Sequence, residues 1–300
     1  MKRIFVSFLQ LILICSAALA QDAAKLSFIA TDDASNAIGD LKKEEIALLI
    51  DGKPQVVTSF EKQETPLIYV LAVDCSGSMR LILDEIVSSA KTIVNQNRKD
   101  DEALIFSFTS SDKIKGMQAF STDKNILTRT IDNFYIEGGA TALIDALYVA
   151  VKKVSEHKKD GGGKYRRVVF AITDGEDRDS FYTAQQLYDL IQKENVQIFL
   201  VGLTNNLAKD GGYMGKSPRA KAKDFIEKIV AVSGGAAIFP KEIKDTPDAA
   251  AQLVPLSQSQ YVIGYTPSTD TKQKAQKIEI KLAKDSKRKD VKFYFRSEVK

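Results

Sequence analysis

The sequence predicts an α/β fold: a doubly wound, mostly parallel sheet with helices on both faces, joined to a second, smaller β-sandwich built from the two ends of the chain. Three observations predict it. Continuous apolar runs such as Leu67 to Val73 alternate with segments whose apolar residues recur at helical spacing, as strands buried on both faces and their covering helices do. The stretches on either side of that region have β character and no helical period. Finally, 300 residues, 44% apolar and 27% charged, suffice for one full α/β core and a smaller companion.

At the start, Met1-Lys2-Arg3, the apolar run Ile4 to Ala18 and then Ala18-Leu19-Ala20 have the basic, apolar and small-residue regions of a secretory signal peptide. Residues 1–20 are therefore read as a leader and the protein as secreted or periplasmic, an uncleaved anchor being the alternative. Ile14 before Cys15 argues against lipoprotein processing, and no later stretch is apolar enough to span a bilayer. Residues 21–64 form the first part of the sandwich. Leu26 to Ile29 reads as a strand, and Ile46 to Ile50 is joined to a strand from Gln55 to Phe60 through Asp51-Gly52, a strong hairpin signal.

Residues 65–255 carry the alternating region. After the apolar strand ending in Asp74, the spacing of Ile82, Ile86, Ala90, Ile93 and Val94 predicts an amphipathic helix. Strand 103–108, an edge strand near 114–120, and helices around 124–133 and 142–156 follow. Next come strand 167–173, helix 183–194, strand 197–203, helix 219–232, strand 236–239 and helix 244–254. Residues 256–300 return to β character in Tyr261 to Tyr265, Gln276 to Leu282 and Val291 to Phe295. They complete the sandwich, from which the α/β domain emerges as an insertion.

Composition narrows the chemistry. Beyond the leader the chain keeps one cysteine, Cys75, and one histidine, His157, so neither an intramolecular disulfide nor a thiolate pair for zinc can form. Cys75 reads as a small packing residue and His157 as a solvated residue at a helix end. Ser-His-Asp and Cys-His nucleophilic catalysis are disfavoured on the same grounds. The precursor's net charge of +4 falls near neutrality without Lys2 and Arg3, which gives no reason to invoke nucleic acid. Gly215-Lys216-Ser217 invites a phosphate-loop reading, but Asp210 stands where the motif's first glycine belongs.

Oxygen chemistry remains. Asp74-Cys75-Ser76-Gly77-Ser78 lies at the carboxyl end of the most apolar strand, and two further loops, Gly138-Gly139-Ala140-Thr141 and Thr173-Asp174-Gly175-Glu176-Asp177, precede a helix or leave a strand. In a doubly wound sheet, ligands bind at the carboxyl ends of strands. Together the three loops offer side-chain carboxylates and hydroxyls that can meet above one sheet edge. Each residue also has a plainer reading: Ser76, Ser78 and Thr141 as helix caps, Asp174 as the start of an Asp-Gly turn. Glu176 to Asp179 read as a solvated loop rim.

In these three loops the sequence resembles the von Willebrand factor type A family, whose metal-ion-dependent adhesion site uses a D-x-S-x-S loop, a threonine and a second-loop aspartate; the matching positions, Asp74, Ser76, Ser78, Thr141 and Asp174, imply two carboxylates and three hydroxyls, a hard oxygen set suited to Mg2+ or Mn2+, with Ca2+ a further option. The resemblance spans roughly residues 66–254. The flanks, Leu49-Ile50-Asp51-Gly52-Lys53-Pro54-Gln55 and Gln260-Tyr261-Val262-Ile263-Gly264-Tyr265-Thr266-Pro267, resemble a bacterial secreted family related to it. The resemblance implies a non-enzymatic module that binds a partner protein's exposed Asp or Glu through an incompletely neutralised cation, and a final helix whose displacement accompanies rearrangement at the ion. Two rival functions stay open: a metal-assisted hydrolase, and an envelope scaffold in which the sandwich makes the main contact.

Overall fold

The computed structural model describes residues 24–116, 119–158, 164–211, 215–266, 276–296 and 298–299. The expected leader lies outside the described residues. The strands are β1 (Ala24–Thr31), β2 (Ile46–Ile50), β3 (Lys53–Gln55), β4 (Val57–Gln63), β5 (Leu67–Asp74), β6 (Glu102–Phe108), β7 (Ile114–Lys115), β8 (Arg166–Thr173), β9 (Gln197–Gly202), β10 (Ala237–Ile238), β11 (Gln260–Tyr265), β12 (Gln276–Leu282), β13 (Lys292–Phe295) and β14 (Glu298–Val299). The helices are α1 (Leu83–Gln96), α2 (Lys124–Asp132), α3 (Leu143–Glu156), α4 (Ala184–Glu194), α5 (Pro218–Ser233) and α6 (Thr246–Gln258).

The central sheet runs β10-β9-β8-β5-β6-β7, parallel except for the short antiparallel β7. All eight residues of β5 are buried, and their alternation divides the core. Leu67, Tyr69, Leu71 and Val73 face the cluster under α1, α2 and α6, whereas Ile68, Val70 and Ala72 face the cluster under α3, α4 and α5. Covering both faces explains why the strand reads as an unbroken apolar run.

The two chain ends form two antiparallel four-stranded sheets, β13-β1-β11-β4 and β14-β12-β2-β3. Leu26, Phe28, Leu48, Ile50, Tyr261, Ile263, Ile278 and Ile280 share one apolar cluster between them. The opposite face of β1 is also used, because Ile29 belongs to the core beneath α1 and α6. Asp51 and Gly52, with φ of 49° and 77°, form the expected hairpin turn, in which both central residues have positive φ.

Three expectations need correction. The single strand from Gln55 to Phe60 is two: β3 pairs with β2, and β4 pairs with β11 in the other sheet. Val56, 78% exposed, marks the corner where the chain changes sheets. The edge strand near 114–120 shrinks to Ile114–Lys115 and a lone bridge between Ala103 and Ser121. The last helix does not stop before Pro255 but runs to Gln258, and buried Leu256 and Ser257 show that packing overrides the lost N–H.

Candidate metal centre

Strands β5 and β8 are neighbours at the point where the sheet order reverses, and the crevice above their carboxyl ends is where such sheets bind ligands. Asp74 closes β5. Its Oδ1 accepts from the Ser76 amide at 3.0 Å, folding the loop back, and its Oδ2 accepts from the Thr173 hydroxyl of β8 at 2.8 Å. The Ser76 and Ser78 hydroxyls then lie 3.2 Å apart. From the end of β8, Asp174 Oδ1 accepts from the Glu176 amide at 3.0 Å, and the Ser78 hydroxyl lies close enough to favour the charged form of Asp174. Asp74, Ser76, Ser78 and Asp174 are thus brought together.

Thr141 is tied in through backbone. Its carbonyl accepts from the amides of Arg178 at 2.7 Å and Asp179 at 3.1 Å, and Ala142 donates to Thr109 at 2.8 Å. Thr109 in turn donates to the Cys75 carbonyl at 3.4 Å. The approach needs glycine: Gly139 has φ of 110°, and a Cβ there would meet Thr109 at 3.1 Å. All three sequence loops therefore converge, with Thr141 buried among them.

Electrostatics marks the place. Both aspartates are fully buried. Burial first, then the charge of Asp174, push the Asp74 carboxyl up to about 7. Asp174 is raised by burial, offset in part by the Glu176 amide and Ser78. Its Oδ2 is buried and accepts no hydrogen bond, although a buried carboxylate oxygen normally has a partner. Two converging carboxylates, an orphaned oxygen and neighbouring hydroxyls fit a hard divalent cation such as Mg2+, Mn2+ or Ca2+.

The capping alternatives fare poorly. Ser76 precedes a 3-10 turn, Gly77–Ile82, but makes no side-chain cap bond, and the residue before α3 is Ala142 rather than Thr141. The Asp-Gly turn reading of Asp174 holds alongside the ligand reading, since its Oδ1 caps that turn. The first helix, α1, starts at Leu83, and the 3-10 turn Gly77–Ile82 separates its positive dipole end from Ser78.

The acidic rim does more than face solvent. Asp177 Oδ1 accepts from the Ile144 amide at 3.0 Å, holding the first turn of α3, and Glu176 pairs with Arg178 at 2.6 Å. Asp145 escaped sequence reasoning. Buried on α3, it accepts from the Phe181 and Tyr182 amides, each at 2.8 Å, and from the Ser111 hydroxyl. It thereby fixes the loop that follows Asp174. The available signal was an acid inside the apolar stripe of Leu143, Ala146 and Leu147.

Elsewhere, Cys75 is buried and its thiol is pushed up to about 12 by burial, then by Asp74, consistent with packing. His157 is less solvated than expected: it bonds Glu102 at 2.8 Å and stacks on Phe120 with ring centroids 3.9 Å apart. In the Gly215-Lys216-Ser217 segment, Ser217 caps α5 by accepting from Ala220 at 3.2 Å, and Lys216 pairs with Asp224.

Comparison with known proteins bears on the family and the fold. The family model for the von Willebrand factor type A domain matches residues 70–229. Among solved structures, the chain is similar to proximal thread matrix protein 1 from the mussel byssus, with 15% identity, 67% of this chain and 49% of that one covered, and a TM-score of 0.50. It is also similar to a von Willebrand factor type A protein from Catenulispora acidiphila (12% identity, 82% and 72% covered, TM-score 0.49). A third similar structure is BatB from Bacteroides thetaiotaomicron (14% identity, 64% and 100% covered, TM-score 0.47). At these identities the likeness concerns the fold alone. No curated protein matches the chain.

Proposed function

Because the chain belongs to the von Willebrand factor type A domain family, whose members are commonly protein-interaction or adhesion modules, we propose that it is a secreted or periplasmic, metal-dependent protein-binding module. Asp74, Ser76, Ser78, Thr141 and Asp174 would hold one divalent cation. The partner is a protein with an exposed Asp or Glu. The observation that carries this reading is the orphaned Asp174 Oδ2, buried beside a second carboxylate and two hydroxyls. Burial of two like charges is costly unless a countercharge offsets it.

When bound, the cation supplies a positive centre to which a partner carboxylate can bind directly. The chain's own groups do the rest. The Ser76 amide and the Thr173 hydroxyl fix Asp74, the Glu176 amide fixes Asp174, and Asp145 holds the loop beyond it, so the donor oxygens are set before binding. Neutral hydroxyls outnumber carboxylates, which leaves the ion attractive to a further anion. For secretion, support comes from the basic, apolar and small-residue pattern of residues 1–20. Among the described residues no helix is long and apolar enough to cross a membrane.

Calorimetric titration of Mg2+ and Mn2+ into the wild type and Asp74→Ala tests the site, and capture from the source cell envelope with and without EDTA tests its use. Heat in the wild type alone, with capture lost in EDTA, is expected. No heat in the wild type would end the reading; heat with EDTA-insensitive capture would shift the binding role to the sandwich.

A further inference from the structure

At the opposite, amino edge of the central sheet, where it meets the β13-β1-β11-β4 sheet, lies a cavity of about 510 Å3. Its lining includes four cationic side chains, Lys25, Arg166, Arg167 and Arg296; among the described residues its only acid is Glu194. Arg166 is nine-tenths buried. Its Nη1 donates to the Ser257 carbonyl at 2.7 Å and its Nη2 to the Gln197 side chain, while its Nε is buried without a partner. The Nε of Arg167 is likewise buried and unpartnered, and its Nη2 reaches the Lys158 carbonyl at 3.4 Å. Arg296 donates to the carbonyls of Ser233 at 3.3 Å and Val196 at 3.4 Å.

Every one of these acceptors is a neutral oxygen. Among the described residues none of the four cations forms an ion pair, while fifteen ion pairs occur elsewhere. Asp101 is the carboxylate felt by Arg166, but its oxygens already accept from the amides of Leu67 and Arg98 and from the Arg98 guanidinium. Burial, followed by the charge of Arg98, presses Arg166 down to about 9. Among the described residues four cations meet a single acid, Glu194, in this hollow, and such an excess of positive charge is costly unless an anion enters.

We propose that this cavity binds a small phosphate-bearing anion, gripped by the guanidinium groups of Arg166 and Arg296 with Lys25 at the mouth. Planar guanidinium forks match tetrahedral oxyanions, and charge-assisted bonds to them are short and strong. The volume exceeds what bare phosphate fills, so an organic substituent fits beside it. Because the cavity is bounded by both the central sheet and β1, an occupant would brace one layer against the other.

The test is thermal unfolding and calorimetry of the full chain in EDTA, which silences the carboxylate edge, at constant ionic strength. Inorganic phosphate, phenyl phosphate and acetate are the probes. Saturable binding of a phosphate probe is expected, with acetate much weaker. Arg296→Gln and Lys25→Gln, both outside the buried Arg166 position, should each weaken it by about tenfold. Tighter binding of phenyl phosphate would identify an esterified ligand, and tighter inorganic phosphate the free ion; either supports the site. Phosphate acting no better than acetate or chloride, or acting equally on wild type and both variants, would overturn it.

Discussion

The two edges of the central sheet are built from the same strands and carry opposite chemistry. β8 begins with Arg166 and Arg167 and is followed at its other end by Asp174, about 23 Å away for eight extended residues. In a parallel α/β sheet the helix N-termini gather at the carboxyl edge and the C-termini at the amino edge, so carboxylates suit the first and cations the second. That preference is weak for exposed groups. Here each edge holds a buried charged residue with an orphaned atom, Asp174 Oδ2 at one edge and Arg166 Nε at the other. At the carboxyl edge Ser78 is exposed, whereas at the amino edge residues of β1 and β11 line the cavity. On the readings proposed above, one edge would meet a partner and the other would join two layers.

The largest expected effect separates the edges by sign. Asp174→Asn removes one of two opposed buried charges, so it should abolish the Mg2+-dependent rise in melting temperature while raising metal-free stability by about 1–3 kcal/mol. Chemical denaturation with EDTA and with excess Mg2+ reads both terms. A variant less stable than the wild type in EDTA would show that the carboxylates are not in conflict.

At the amino edge the same kind of change should go the other way. Arg166→Met deletes a cation but strands the Ser257 carbonyl and the Gln197 side chain, with an expected loss of about 2–4 kcal/mol from two unpaired buried groups. Urea unfolding measures it. Mg2+ binding, read by calorimetry, should persist; its loss would mean that the two edges are energetically coupled through β8.

Asp145→Ala probes how the carboxyl edge is held. Two amides and one hydroxyl lose their acceptor, for an expected cost of about 2–3 kcal/mol, with weaker Mg2+ affinity because the loop after Asp174 is freed. Asp145→Asn, which keeps one carbonyl acceptor, should recover part of both. Unchanged Mg2+ affinity in both variants would limit Asp145 to stability alone.

How much of this was legible depends on sequence distance. Asp74, Ser76 and Ser78 form one turn, and Asp174 follows an apolar strand, so local pattern and strand order were enough to bring them to one edge. Asp145 hid because its partners, Phe181 and Tyr182, lie some 36 residues further on. The split between β3 and β4 hid because Gln55 to Phe60 is uniformly strand-like, and the corner depends on β11, two hundred residues away. The amino-edge cavity was least legible of all. Arg166 and Arg167 read as ordinary charged residues at a strand start, and only the long-range approach of β1 and β11 forms the cavity beside them.

The smallest effect on stability is expected at the rim of the carboxyl edge. Leu81, in the turn after β5, is 92% exposed, and Phe181, in the loop after β8, is 81% exposed. Such large apolar groups gain little by folding, and replacing them changes stability by less than about 0.5 kcal/mol in most proteins. Beside the proposed partner site they would have another use, since desolvated apolar anchors around a polar contact supply much of an interface's energy. Phe181→Ser should therefore leave the melting temperature and the calorimetric Mg2+ affinity unchanged while reducing metal-dependent capture. Val56, equally apolar and 78% exposed at the corner between the two outer sheets, supplies the control: Val56→Ser should leave capture intact. Equal loss of capture in both variants would place partner contact on the sandwich as well as on the carboxyl edge, and no loss in either would confine it to the ion and its ligands.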